Sequence, residues 1–305
     1  MTQIDAPYFH NDDEAREYLE SIRWANGIVC PHCGVIGEHY RFNGTAARKG
    51  LLKCRDCRKQ FTVTVGTLFE RSKIGLHKWL LATYLMCSSK KGISSHQLHR
   101  TLGVTYKTAW FMTHRIREAM KDPNFMKQLG GKDAVVEADE TYWGNTRSKK
   151  IDKHKGYEHK EKIFSLVERN GNVRSFHVSH VSGQTLKPIL RNQVHQETRI
   201  MTDDFGGYKG VGEHFAEHSK VRHSRKEYVR GDVHTNTIEG FFSILKRGLI
   251  GTFHHVGAQH LKRYITEFDF RYNSRKMSDG ERTVLALQGI TGRRLMYTTP
   301  SFGRA

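Results

Sequence analysis

Apolar residues along this chain change their spacing several times, and each change marks a different kind of structure. Residues 11–24, NDDEAREYLESIRW, put Tyr18, Leu19 and Ile22 on one side of a short helix, with Asn or Asp caps and acids in the first turn. Residues 27–69 lose that period and read as strands and turns, ending in a β-rich run over 60–69. A helical period returns from 76 to 120, where Leu76, Trp79, Leu80, Thr83 and Tyr84 recur together. Helices over 94–102 and 106–120 then follow, separated by Gly103-Val104, and two helices joined by a tight glycine turn are the signature of a helix-turn-helix. Residues 121–132, with Pro123 and Gly130-Gly131, predict a linker.

Past the linker the period falls toward two. Strands are predicted over 134–143, 162–169 and 172–181, the last two joined through Asn170-Gly171, a strong hairpin turn. A helix over 184–194, a short strand over 199–202, and amphipathic helices over 236–246 and 259–272 complete the pattern. Three antiparallel strands, helix, strand, helix and further helix is the order of an RNase H-like α/β domain.

Charge narrows the choice of partner. The 305 residues carry 50 Lys+Arg against 31 Asp+Glu, a formal net charge of +19. That imbalance calls for a polyanion, of which nucleic acid is the commonest. The longest apolar stretch, 79–87, is far short of the ~20 residues a membrane span needs. The first residues, MTQIDAPYFHNDDE, are acidic where a secretion signal would be basic and then apolar. No membrane partner is expected, and the cysteine usage below fits the reducing cytoplasm.

Cys30, Cys33, Cys54 and Cys57 form CPHC, twenty residues, and CRDC. Each CxxC loop can turn two sulfurs onto one ion, and four thiolates satisfy tetrahedral Zn²⁺. A filled tetrahedron leaves no place for substrate, so this zinc is expected to be structural. His32 and His39 read as turn or exposed residues, and Cys87 as a core residue.

In the helix-turn-helix, Ser94 can cap the first helix, and Thr105, Tyr106, Lys107, Thr108, His114, Arg115 and Arg117 fall between the apolar positions of the second. These side chains suit base edges and phosphates. The expected architecture is therefore multidomain α+β. An N-terminal helix and zinc ribbon take 1–70, a helix-turn-helix region 71–127, an RNase H-like α/β catalytic domain 128–285, and a basic tail 286–305.

Three carboxylates stand out in the second half. Asp139 lies in AVVEADETYWG and Asp203 in RIMTDDFGGY, each where a strand gives way to a polar tip; Glu239 lies early in the helix of HTNTIEGFFSILKRG. Two carboxylates ~4 Å apart repel by about 4 kcal/mol at an effective dielectric near 20, so such a cluster implies raised pKa values or bound divalent cations. All-oxygen ligands suit Mg²⁺ or Mn²⁺. Lys246 follows Glu239 by two helical turns and faces the same way, which allows carboxylate to metal and ammonium to phosphate.

Together these segments resemble the insertion-sequence transposases that pair a zinc ribbon with a DDE catalytic domain. The resemblance runs from RWANGIVCPHCG through KCRDCRKQFTVTVGTLFERSKI to ADETYWGN, TDDFGGY, HTNTIEGFFSILKRGLIGTFHHV and LKRYITEFDFRYN. It implies catalytic acids at Asp139, Asp203 and Glu239 and a DNA-contacting lysine at Lys246, beside Arg247. The third acidic position varies in such enzymes, so Asn236, on the same helical face, is a rival or helper of Glu239. His234, His254 and His255 match positions that could orient DNA or brace the site, and Arg271 and Asn273 also match the family.

What the resemblance implies is two-metal phosphodiester chemistry on double-stranded DNA. Water frees a 3′-OH at the element's end, and that 3′-OH then attacks target DNA within a dimer or larger synapse. Arg222, His223, Arg225 and Lys226, with the basic GRR and FGRA segments of the tail, would supply phosphate contacts. A DNA-binding regulator without catalysis and an RNase H-like nuclease that cuts without joining are the competing classes.

Overall fold

The computed structural model describes residues 3–44, 47–144 and 159–296. They divide into two compact units, Met1–Lys121 with Met277–Ala305, and Asp122–Lys276.

The first unit opens with α1 (Asp12–Arg23), capped by Asn11, whose side chain accepts the N–H groups of Asp13 and Glu14. Three short antiparallel strands follow, β1 (His39–Arg41), β2 (Leu52–Cys54) and β3 (Gln60–Phe61), in that spatial order. The helical stretch is α2 (Leu76–Ser88), α3 (Ser95–Leu102) and α4 (Tyr106–Ala119). Ser94 caps α3 and Thr105 caps α4. Gly103 between them adopts φ +60°, the left-handed turn that a side chain would strain.

The second unit is built on a five-stranded sheet of β4 (Val135–Trp143), β5 (Glu161–Glu168), β6 (Val173–Val178), β7 (Arg199–Thr202) and β8 (Glu217–Lys220), in the order β6-β5-β4-β7-β8. The first three are antiparallel, and β4, β7 and β8 are parallel. A small ribbon, β9 (Val229–Arg230) with β10 (Val233–His234), precedes α6. Alternation along the strands feeds two cores. Val136, Ala138, Phe164 and Leu166 face α5 (Gly183–Gln193) through Leu186 and Leu190. Ile163, Val167 and Val173 face α6 (Asn236–Gly248) and α7 (Ala258–Asn273) through Ile238, Phe241, Leu245 and Phe268. This is an RNase H-like layering of helices on both faces of a mixed sheet.

At the outer edge of the sheet, α7 stands in for a missing strand. Asp269 accepts the backbone N–H of Ser175 at 2.8 Å, while Asn273 accepts that of Val173 at 2.7 Å and donates to its carbonyl at 3.0 Å. Covering these groups removes an unpaired edge. Asn273 thus has a structural task, and buried Arg271 pairs with Glu267 on its own helix.

Two expected boundaries move. Residues 122–129 do not form a free linker: Arg174 binds the Asn124 carbonyl at 2.8 Å and the Leu129 N–H reaches Gln193 at 2.7 Å, so this stretch belongs to the sheet unit. Nor does the sheet unit extend to 285. Here α8 (Asp279–Gln288), with a Ser278–Glu281 capping box, returns to the first unit, where Arg282 donates to the Cys87 carbonyl at 2.7 Å. No described helix is long and apolar enough to cross a membrane.

Candidate functional site

Parallel pairing of β4 with β7 decides where the acids meet. Glu137 lies opposite Met201, so the register carried two residues further sets Asp203 level with Asp139. Asp139 shares its strand face with Glu137, the face on which α6 packs. The first turn of α6 brings the charge of Glu239 within electrostatic reach of Asp139. Burial lifts the Asp139 carboxyl to about 8, with the charges of Glu140, Asp203 and Glu239 pushing in the same direction. Asp203 is raised by burial and by Asp204, against the Phe205 N–H and His223. Thr235 donates to Glu239 Oε1 at 3.0 Å. Asp203 and Glu239 each push on the Asp139 carboxyl, although the oxygens of the three acids do not all lie within 4.8 Å of one another as the cysteine sulfurs do.

The cluster holds more than those three. Glu140, from the opposite face of β4, is raised to about 7 by burial and Asp203, while the buried Tyr208 hydroxyl donates to it at 2.8 Å. His223 stands 3.8 Å from Glu239 and lowers the acids around it. Neither role was read from the sequence, although Glu140 adjoins Asp139 in the ADET segment. Asp204 is exposed and pairs with Ser224.

Asn236, Glu239, Lys246 and Arg247 are all exposed on α6. His254 and His255 are exposed too, but they follow the π-helical turn Leu249–Phe253 beyond the helix end. Neither histidine is among the groups that shift the Asp139 or Asp203 carboxyl. His234 instead braces the neighbourhood, its Nδ1 lying 3.1 Å from an Arg169 nitrogen.

In the first unit the four cysteines converge, with all sulfurs within 4.8 Å of one another, the group of metal-type donors that close among the described residues. Cys30 to Cys57 and Cys33 to Cys54 are both 3.7 Å. Four sulfurs at 2.3 Å from a tetrahedral Zn²⁺ would stand about 3.8 Å apart, so the donor set fits zinc. Burial works against the Cys30 thiolate, but the N–H groups of His32 and Cys33 and the neighbouring sulfurs hold its pKa down at about 7. His39 binds the Ile28 carbonyl at 2.9 Å, in agreement with its exclusion as a ligand.

The helix-turn-helix presents fewer of its expected contacts. Thr105, Tyr106 and Lys107 are exposed at the start of α4, and Tyr106 stacks on exposed His96 of α3 at 4.2 Å. Arg117 is a correction: it is only 1% exposed and donates to Thr113 at 3.0 Å. His114 is buried as well. Arg115 is half-buried, lies 4.9 Å over the Phe111 ring and donates to the Leu295 carbonyl at 3.2 Å. Both arginines lay their aliphatic stems along the packed side of the helix, which removes them from a DNA-facing surface. Gln97 and Arg100 of α3 are exposed as well. In the tail, Arg293 of the GRR segment is engaged by the carbonyls of Glu118, Ala119 and Lys121 at the end of α4, and FGRA lies outside the described residues.

Comparison with known proteins agrees with these features. Residues 128–273 match the ISXO2-like transposase domain, and residues 10–60 match the transposase zinc-ribbon domain. An uncharacterized protein in transposable element ISH50 of Halobacterium salinarum is 30% identical over 281 residues, covering 86% of this chain and 91% of that protein. An uncharacterized transposase-like protein of Haemophilus influenzae is 28% identical over 97 residues, 32% of this chain and 77% of its own length. Among solved structures, the mariner Mos1 paired end complex with Mg is similar over 67% of this chain and 75% of that one, at 10% identity and a TM-score of 0.23. With its zinc-type cysteine quartet and RNase H-like sheet, the chain belongs to the insertion-sequence transposases that carry an ISXO2-like transposase domain and a transposase zinc ribbon.

Proposed function

We propose that this transposase cuts DNA at the ends of its element and joins the freed 3′-OH to target DNA, using Mg²⁺ or Mn²⁺ held by Asp139, Asp203 and Glu239. The observation that carries this reading is the group of acids around half-buried Asp139, whose carboxyl is raised to about 8 by desolvation and by Glu140, Asp203 and Glu239. Carboxylates assembled at such a cost are relieved by hard divalent cations, which also bind phosphate oxygens. A pair of ions would activate the attacking oxygen and stabilise the leaving one, while the protein supplies alignment and charge. Glu239 is favoured over Asn236 as the third ligand because it keeps the two-turn step to Lys246 on one face of α6. Lys246 and Arg247, exposed further along α6, would hold the phosphates of the bound strand.

The N-terminal unit would recognise the element's terminal repeats in double-stranded DNA, with α3 and the first turn of α4 as its reading surface and zinc holding the ribbon in shape. Joining two ends requires a dimer or a larger synapse, acting in the bacterial cytoplasm where the DNA lies. The test mixes labelled end DNA, target plasmid and Mg²⁺ with wild-type protein, Asp139→Asn, Asp203→Asn, Glu239→Gln and Asn236→Ala. Joined products are expected from the wild type and from Asn236→Ala only, with joining lost in each acid variant. Cut but unjoined ends would make the protein a nuclease; bound, intact DNA would make it a regulator.

A further inference from the structure

The first turn of α6 is capped from outside its own sequence. A helix start leaves backbone N–H groups without partners, and the residue just before the helix usually accepts one of them. Thr235 holds that position but makes no side-chain cap. The acceptor is Glu137, on β4 two residues before Asp139 and 0% exposed. Its Oε2 takes the Ile238 N–H at 2.9 Å and its Oε1 the Thr237 hydroxyl at 2.9 Å. Those two residues immediately precede Glu239.

Arg169 compensates the buried carboxylate, donating through Nε at 2.7 Å. Its other nitrogens reach the Asp232 carbonyl at 2.8 Å and the His234 carbonyl at 2.9 Å. One ion pair thus ties β4, the end of β5, the β9–β10 ribbon and the start of α6. Buried ion pairs are a poor source of net stability, and their best-attested use is to fix register. Here register matters directly: a one-residue slip of α6 would shift Glu239 by about 1.5 Å and turn it by roughly 100° away from Asp139.

We propose that Glu137, held by Arg169, is a positioning residue of the transposase, setting α6 against β4 so that Glu239 meets Asp139 and Asp203. The inference rests on the metal-site reading above. It can be read apart from DNA cleavage, because Fe²⁺ bound at the acids reduces added H₂O₂ to hydroxide and a hydroxyl radical that cuts nearby backbone, and ascorbate returns the Fe³⁺ to Fe²⁺. In full-length wild-type protein, Fe²⁺ with H₂O₂ and ascorbate should nick the chain near Asp139, Asp203 and Glu239. Glu137→Ala should lose the nick near Glu239 and keep the other two.

In the cleavage assay Glu137→Ala should bind end DNA within about threefold of wild type. Its turnover should fall by about ten- to a hundredfold and its half-saturating Mg²⁺ should rise about tenfold, the range for groups that orient metal ligands. Thr237→Val removes one of the two bonds and should raise half-saturating Mg²⁺ about threefold with unchanged circular dichroism; it decides the matter if Glu137→Ala fails to fold. A wild-type nicking pattern and Mg²⁺ dependence in the folded variants would overturn the proposal. If instead Glu239→Gln and Asp139→Asn leave both nicking and cleavage intact, the metal-site reading has failed, and the positioning role with it.

Discussion

His223 places its Nε2 3.8 Å from Glu239 Oε1, with no hydrogen-bond partner for that nitrogen among the described residues. The ring also lowers the carboxyl groups of Asp203 and Asp204, so it faces the acid cluster from the β8–β9 side. From the sequence His223 was expected to be one phosphate contact within a basic run, but the structure puts it beside a candidate metal ligand. His223→Ala should lower end cleavage by about ten- to a hundredfold while leaving end-DNA affinity and thermal stability close to wild type. Equal losses of affinity and cleavage would return it to the role of an ordinary phosphate contact.

Basic residues on α4 separate in the same way. Lys107 is exposed on the first turn, whereas Arg117 is buried against Thr113. Lys107→Ala should reduce the slope of log affinity against log salt by about 0.9, as expected for one lost phosphate contact. Arg117→Ala should leave that slope unchanged and cost about 2–3 kcal/mol of stability instead. Titrations of end DNA at several salt concentrations, paired with denaturant melts, distinguish the two, and a salt-slope change in Arg117→Ala would contradict its burial.

Zinc removal tests the N-terminal unit independently of catalysis. The ribbon has three strands of two or three residues and little apolar side chain of its own, so the ion is expected to supply on the order of 10–16 kcal/mol of folding free energy. Cys54→Ser, or treatment with a strong chelator, should release about one zinc per chain and abolish specific end binding. Retention of end binding by metal-free protein would show that the helix pair reads DNA without the ribbon.

How much of this was legible in the sequence follows from the range of each interaction. The strands and helices carrying Asp139, Asp203 and Glu239 have clear periods; Asp203 follows the end of β7 and Glu239 opens α6, as expected, but Asp139 lies in the middle of β4, paired with Ser165, and not at the strand end where the sequence put it. The cysteine quartet was legible because its spacing is local. Glu137 was not, because its partners Arg169 and Ile238 lie 32 and 101 residues away and a glutamate on a strand reads as a polar position. Arg117 could have been found: it sits four residues after Thr113 and eight after Ala109, on the buried stripe of α4. Charge suggested the outer face, but the long stem of arginine can line the inner one. The return of α8 to the N-terminal unit needed contacts with α2, which no local pattern announces.

Asp269 contributes to the pH dependence of the sheet unit from outside the acid site. It is half-buried beside β6, accepts the Ser175 N–H and hydroxyl, and is raised from 3.8 to about 7 by desolvation and by Asp122, against Ser175 and Arg174. A carboxyl with a raised folded-state pKa binds its proton more tightly in the fold than in the unfolded chain. Its contribution is therefore complete below about pH 4 and is lost as pH climbs through 7. Asp269→Asn keeps an acceptor for the Ser175 N–H and an amide donor for its hydroxyl, and it cannot ionise. The variant and wild type should melt together near pH 4. By pH 7.5 the variant should be more stable, with a Tm higher on the order of 5 °C. Melting curves at half-unit pH steps give the difference directly, and a gap that stays constant from pH 4 to 7.5 would mean that Asp269 does not titrate in this range.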